Sequence, residues 1–138
     1  MIKLVAREGS GGALKTRIFV VEDENIVAED IRDRLEKNNY EVVGIADSGK
    51  NAIEEVKQLK PDLLLMDVRV KGELNGIETA IVIQSYFETP IPIVFLTGFS
   101  EASFPYLKVL NDYIYINKPY SEEILLNSIE RALKQKKA

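Results

Sequence analysis

From Arg17 onward the apolar residues of the chain keep two alternating rhythms. Short runs rich in β-branched, aromatic and aliphatic residues have the length and composition of strands: "RIFVV" (17–21), "EVVGIA" (41–46), "LLLMDV" (63–68), "IVFLTG" (93–98) and "YIYINKP" (113–119). Each is followed by a stretch with helical spacing. "NIVAEDIRDRLEKNN" sets Ile26, Ile31 and Leu35 at helical intervals, and "SGKNAIEEVKQLKPD" predicts a helix opened by Ser48 as N-cap and stopped near Pro61. "IETAIVIQSYF" predicts a helix that starts at Asn75, where Glu78 three residues later completes a capping box. Pro90 and Pro92 separate it from the fourth strand. "SFPYLKVLND" is a weak helix, because proline is tolerated only in a first turn. The expectation is that Ser103 caps a helix from about Phe104 to near Asn111, with residues 99–102 as a loop. "SEEILLNSIERALKQKK" predicts a last helix, with acids in its first turn and lysines in its last, as the helix dipole favours.

Strands alternating with helices in this way predict an α/β domain whose parallel sheet is covered on both faces. In such open sheets, sites form outside the carboxyl ends of the strands, near the point where strand order reverses. The residues there are Glu22 and Asp23 after the first strand, Asp67 after the third, Thr97 on the fourth and Lys118 on the fifth. Taken singly, the acids are turn formers or caps, Thr97 a strand residue and Lys118 a solvated charge. Taken together, three carboxylates, a hydroxyl and an ammonium share one edge. Clustered carboxylates repel one another and need a cation or a proton in compensation.

Composition sharpens the chemistry. With 0 His and 0 Cys the chain has neither imidazole nor thiolate ligands, so the acidic cluster suits a hard cation, Mg2+ first. A metal, a lysine and a hydroxyl around one aspartate supply what phosphoryl transfer needs. The net charge of −4 gives no basic footprint for nucleic acid. No apolar run approaches the roughly 20 residues of a membrane span, and "MIKLVA" is too brief for a signal-peptide core, so a cytoplasmic location is the default. A length of 138 residues suits one domain. Residues 1–16, glycine-rich in "AREGSGGALKT", read as a leader or linker, native or left by cloning, and residues 17–138 as the domain. "GGALKT" departs from a phosphate loop, with Leu14 in the place of a glycine and a strand after it instead of before it.

Four motifs in order, "VVEDE", "LLLMDV", "FLTG" and "YINKP", resemble those of the receiver domain of two-component response regulators, and the resemblance runs from about Lys15 to Lys137. It implies a flavodoxin-like, doubly wound five-stranded parallel sheet in the order 2-1-3-4-5, with five helices. It implies that Asp67 accepts a phosphoryl group from a partner histidine kinase or histidine phosphotransfer protein, in a Mg2+-dependent reaction that switches a protein-interaction surface. By position, Asp23 and Asp67 bind Mg2+ directly, Glu22 through water, and Arg69 through its backbone carbonyl. Thr97 holds the phosphoryl group, Lys118 pairs with Asp67 and then with a phosphoryl oxygen, and Tyr115 is the switch aromatic that swings inward. The implied partners are such a kinase and a downstream protein or output domain, without direct nucleic-acid or membrane contact. A homodimer through the face of the fourth helix, fifth strand and fifth helix is one assembly the resemblance admits.

Departures from the pattern are Ile114, where glycine is frequent, Pro105 inside the fourth helix, and Arg69, which faces the site mouth and whose guanidinium either pairs with the phosphoryl group or with Glu22, hindering the attacking water, or extends into solvent. Alternative readings are an aspartate-nucleophile phosphohydrolase, a stand-alone regulator or the receiver segment of a hybrid histidine kinase, and an unphosphorylated interaction module. The hydrolase reading wants a second acid two residues after the nucleophile, where this chain has Arg69.

Overall fold

The strand "LLLMD" has no exposed position because it is the centre of everything that follows. The computed structural model describes residues 14–99, 101–110 and 112–137, and the expectation for residues 1–13 lies outside them. Five strands, β1 (Arg17–Val21), β2 (Glu41–Ala46), β3 (Leu63–Asp67), β4 (Ile93–Thr97) and β5 (Ile114–Asn117), pair in parallel in the order β2-β1-β3-β4-β5. This is the expected 2-1-3-4-5 sheet. Four α-helices pack on it: α1 (Asn25–Lys37), α2 (Gly49–Leu59), α3 (Gly76–Gln84) and α4 (Glu122–Lys137).

Successive strand residues point to opposite faces, so a continuous apolar run fills two cores at once. Phe19, Val21, Leu64, Met66, Ile93 and Phe95 join Val56 of α2 and Ile77 of α3 in one core. Ile18, Val20, Leu65, Val94 and Leu96 join Ile31 and Leu35 of α1 and Ile129 of α4 in the other. Ile26, expected on the buried stripe of α1, is 86% exposed, and Ala28 takes its place. The reason is angular: the step of five positions from Ile26 to Ile31 turns the helix by about 140° beyond a full turn.

Local signals set the helix starts. Ser48 Oγ accepts from Asn51 N (3.2 Å) at the head of α2. Asn75 and Glu78 form the full capping box of α3: Asn75 Oδ1 accepts from Glu78 N (2.8 Å), and Glu78 Oε1 from Asn75 N (2.9 Å).

The expected fourth helix is corrected. In its place stand two 3₁₀ turns, Glu101–Ser103 and Pro105–Val109, so that four α-helices are found among the described residues instead of five. Ser103 lies inside the first turn and does not cap the second, whose preceding residue Phe104 has φ −132° and ψ 77°. Pro105 accounts for this, since it lacks an N–H and disfavours helical backbone in the residue before it. The segment instead closes successive i→i+3 bonds, from Phe104 N to the Glu101 carbonyl, Leu107 N to Phe104 and Leu110 N to Leu107. Buried Leu107 and Leu110 anchor it to the core shared by α2 and α3.

One contact ties α3 to the end of β3. Gly76 N donates to the Val68 carbonyl (2.7 Å), and a side chain on Gly76 would collide with the Asp67 backbone carbonyl, with Met66 Cγ and Val68 Cα only 2.9 Å away. Gly76→Ala is therefore expected to lower stability by about 1–3 kcal/mol, as overpacking does. Urea unfolding checks this by a lower midpoint at unchanged slope, and an unchanged midpoint contradicts the contact.

Candidate functional site

Register decides which side chains meet. Val21 pairs with Met66, Asp67 with Leu96, and Thr97 with Asn117, so the residues at or just past the carboxyl ends of β1, β3, β4 and β5 share one edge. Asp67 is 5% exposed and is held from two sides: Oδ1 accepts from Arg69 N (3.0 Å) and Oδ2 from Lys118 Nζ (2.9 Å). Glu22 is 3% exposed, its Oε2 accepts from Glu24 N (3.1 Å), and its Oε1 is buried without a partner. Glu22, Asp23 and Asp67 each present a carboxylate oxygen within 4.8 Å of the others. Buried Thr97 accepts from Phe99 N at Oγ1 (3.0 Å), while its carbonyl accepts from Lys118 N (2.8 Å) and fixes the lysine at the rim. Asp23, Asp67, Arg69, Thr97, Phe99 and Lys118 line a cleft of about 480 Å³.

The structure thus brings together all five strand-end residues named from the sequence. Tyr115 meets the loop after β4. Its hydroxyl donates to the Phe99 carbonyl (2.9 Å) and its ring packs against Phe95, so it is half-buried and tethered to the loop after β4. Arg69 is placed differently from the expected pairing with Glu22: its guanidinium lies over the Phe99 ring, 5.0 Å from the centroid. Phe99 was not singled out by sequence reasoning. The one available signal was a large aromatic two residues past a strand-ending hydroxyl. The ion pair of Lys71 with Asp47 (2.7 Å) beside the cleft was missed as well, since it joins two loops distant in sequence.

Electrostatics follow from burial. The Glu22 carboxyl is pushed up to about 7, chiefly by burial and further by the adjoining Asp67 carboxylate, against the opposing Glu24 N–H and Lys118 charge. Burial works against the Lys118 ammonium, yet its hydrogen bond and ion pair with Asp67, aided by Glu22, outweigh this and hold it above its ordinary value. An orphaned buried carboxylate oxygen within an all-oxygen cluster fits a hard divalent cation.

The raised Glu22 value carries a sign for stability. Below its ordinary value of 4.5 the group is protonated in both folded and unfolded chains; between 4.5 and about 7 only the unfolded chain ionises, so stability falls as pH rises through that window. Above it the loss is complete. In chelator, Glu22→Gln is expected to remove this slope and to be more stable than the parent at pH 8. Denaturant midpoints of both proteins across the window check this, and parallel pH profiles contradict it.

The family model for the response regulator receiver domain matches residues 18–130. Transcriptional regulatory protein PdtaR of Mycobacterium tuberculosis is 34% identical over 122 residues, which cover 88% of this chain and 58% of that protein. Sensory transduction protein LytT of Bacillus cereus is 29% identical over 123 residues, covering 88% of this chain and 49% of that one. The chain thus spans about half the length of these curated relatives. Among solved structures, the signal receiver domain of a modulated diguanylate cyclase from Desulfovibrio desulfuricans superposes with a TM-score of 0.79 at 33% identity, over 89% of this chain and 97% of that one. The N-terminal domain of a response regulator/sensory box/GGDEF protein from Carboxydothermus hydrogenoformans gives 0.78 at 35% identity, over 87% and 95%. With the sheet order, the strand-end cluster and these similarities in agreement, the chain belongs to the response regulator receiver domain family.

Proposed function

We propose that the chain is a phosphoacceptor switch in which Asp67 takes a phosphoryl group from a phosphohistidine of a partner kinase or phosphotransfer protein. The observation that carries this reading is the Asp67 carboxylate itself, buried, bound to Lys118 Nζ at 2.9 Å and adjoining Glu22 and Asp23 in an open cleft. In the step, an Asp67 oxygen forms the new bond to phosphorus as the phosphorus–nitrogen bond breaks. The electron pair returns to the imidazole, which takes up a proton from solvent, and a mixed anhydride remains on Asp67.

Phosphorylation replaces a singly charged carboxylate by a group of nearly two charges beside two other acids. Lys118, already above its ordinary proton affinity, stays cationic and neutralises part of this. Asp23 and Asp67 directly, Glu22 through water and the Arg69 carbonyl are the groups proposed to hold Mg2+, which when bound supplies positive charge to the phosphoryl oxygens. Thr97 Oγ1 accepts from Phe99 N, which leaves its own proton for a phosphoryl oxygen. A shift of Thr97 bears directly on the loop whose Phe99 carbonyl Tyr115 holds, and this is the proposed route by which phosphorylation changes the population of surface conformers. The surface is the β5 and α4 face with the two 3₁₀ turns, offered to a downstream protein, an output segment or a second copy.

Incubation with a small acyl phosphate donor in Mg2+ tests the reading. The parent is expected to take up one acid-labile phosphoryl group and to show no turnover of a phosphomonoester. Asp67→Asn takes up none, because an amide is a poor nucleophile, and Lys118→Ala is labelled about 10²-fold more slowly. Stoichiometric labelling of Asp67→Asn contradicts the assignment.

A further inference from the structure

Phe99 joins three elements. Its amide is bound by Thr97 Oγ1, its carbonyl by the Tyr115 hydroxyl, and its ring by the Arg69 guanidinium. The same ring starts an edge-to-face series of aromatics: Phe99 meets Phe104 at 6.2 Å and 88°, and Phe104 meets Tyr106 at 6.2 Å and 85°. Tyr106 then accepts a hydrogen bond at its hydroxyl from Asn75 Nδ2 (2.7 Å), and Asn75 is the capping residue of α3. The series closes a ring, since Asn75 and Arg69 lie on the one loop that leaves Asp67. Inside it is a hollow of about 400 Å³ lined by Val68, Arg69, Asn75, Phe99, Ser103 and Phe104. Arg69 and Phe99 also line the Asp67 cleft, so the stacked pair is the wall between the two spaces.

We propose that Arg69 is a phosphoryl-responsive residue and that its release from Phe99 forms a second switching route, from the cleft through the aromatic series to the α3 cap. The inference rests on Asp67 being the phosphoacceptor. Arg69 N already donates to Asp67 Oδ1, which keeps the residue beside the group that changes charge. A ring face is a modest, non-specific partner for an exposed guanidinium, whereas phosphoryl oxygens accept two parallel charge-assisted hydrogen bonds from it. Arrival of the phosphoryl group therefore draws Arg69 off the ring. Phe99, 39% exposed, then loses the partner that covers it on the cleft side. Its edge contact to Phe104 loosens, and with it the seat of the 3₁₀ segment against Tyr106 and Asn75. The route is separate from that of Thr97 and Tyr115, which acts on the Phe99 backbone and not on its ring. Among the described residues the segment is held to the domain by these aromatics, by Leu107 and Leu110, and by the hydrogen bond from the Tyr113 hydroxyl to Glu101 (3.1 Å), so loosening the aromatic series removes a large share of its anchorage.

Amide hydrogen exchange of the full chain, with and without acyl phosphate donor in Mg2+, tests this on the parent, Arg69→Ala, Phe99→Leu and Tyr115→Phe, with label on Asp67 quantified in each. In the labelled parent, exchange in residues 101–109 and at the head of α3 is expected to rise by about two- to tenfold, as loss of an aromatic contact implies. Compared with the parent at equal label on Asp67, Arg69→Ala and Phe99→Leu lose that increment, while the response of residues 113–117 persists. Tyr115→Phe keeps the increment. A labelled parent with no change in these segments, or a labelled Arg69→Ala that responds like the parent, overturns the second route and leaves the phosphoacceptor reading standing. A parent that takes no acyl phosphate overturns both.

Discussion

Two carboxylates, Glu22 and Asp67, are buried side by side at the carboxyl edge of the sheet, with Lys118 the cation in contact with Asp67. Isolated, such a pair would protonate or draw water; here the surrounding fold holds it in place. The cost is visible in Glu22, which keeps its proton up to about 7, and in the Oε1 atom left without a partner. What sustains the cluster lies below it. β3 is buried along its whole length between β1 and β4, and its two faces supply both cores. Gly76 lets α3 start against the Asp67 backbone, and the capping box fixes that start.

The same arrangement makes the site sensitive to charge. Thr97 and Lys118 are joined through one backbone bond, and Phe99 donates from its N–H to Thr97, accepts at its carbonyl from Tyr115 and carries the Arg69 guanidinium over its ring. Thr97, Phe99 and Lys118 thus link the Asp67 cleft to the loop after β4. That loop leads into two 3₁₀ turns, a lightly held segment in a domain otherwise built from regular elements.

Strands and the acidic cluster were legible because each is written in short-range pattern: continuous apolar runs, caps such as Ser48 and Asn75, and chemistry placed at strand ends; the sheet order came only with the resemblance to receiver domains. Three features were not. Ile26 has the residue type of a core position but the wrong angle, and an apolar count does not weigh angle as packing does. Pro105 signalled a weakened helix, yet whether the segment kept α geometry or fell to 3₁₀ depended on where Leu107, Leu110 and the aromatic rings found their contacts. Arg69 was visible as an unusual cation, but its partner Phe99 is thirty residues on and is brought to it only by the β3–β4 register. Contacts of that kind are properties of the fold and leave no local mark.

The claim that Glu22, Asp23 and Asp67 act as one electrostatic unit is tested most directly by thermal melts in chelator and in Mg2+. Folded chains assemble the site and unfolded chains do not, so added Mg2+ is expected to raise the Tm of the parent, by about 1.4 kcal/mol of stability when free metal is ten times Kd. Asp67→Asn, with one charge fewer in the cluster, is expected to melt higher than the parent in chelator and to gain less from Mg2+. A parent Tm indifferent to Mg2+, together with an Asp67→Asn variant no more stable in chelator, would contradict the account.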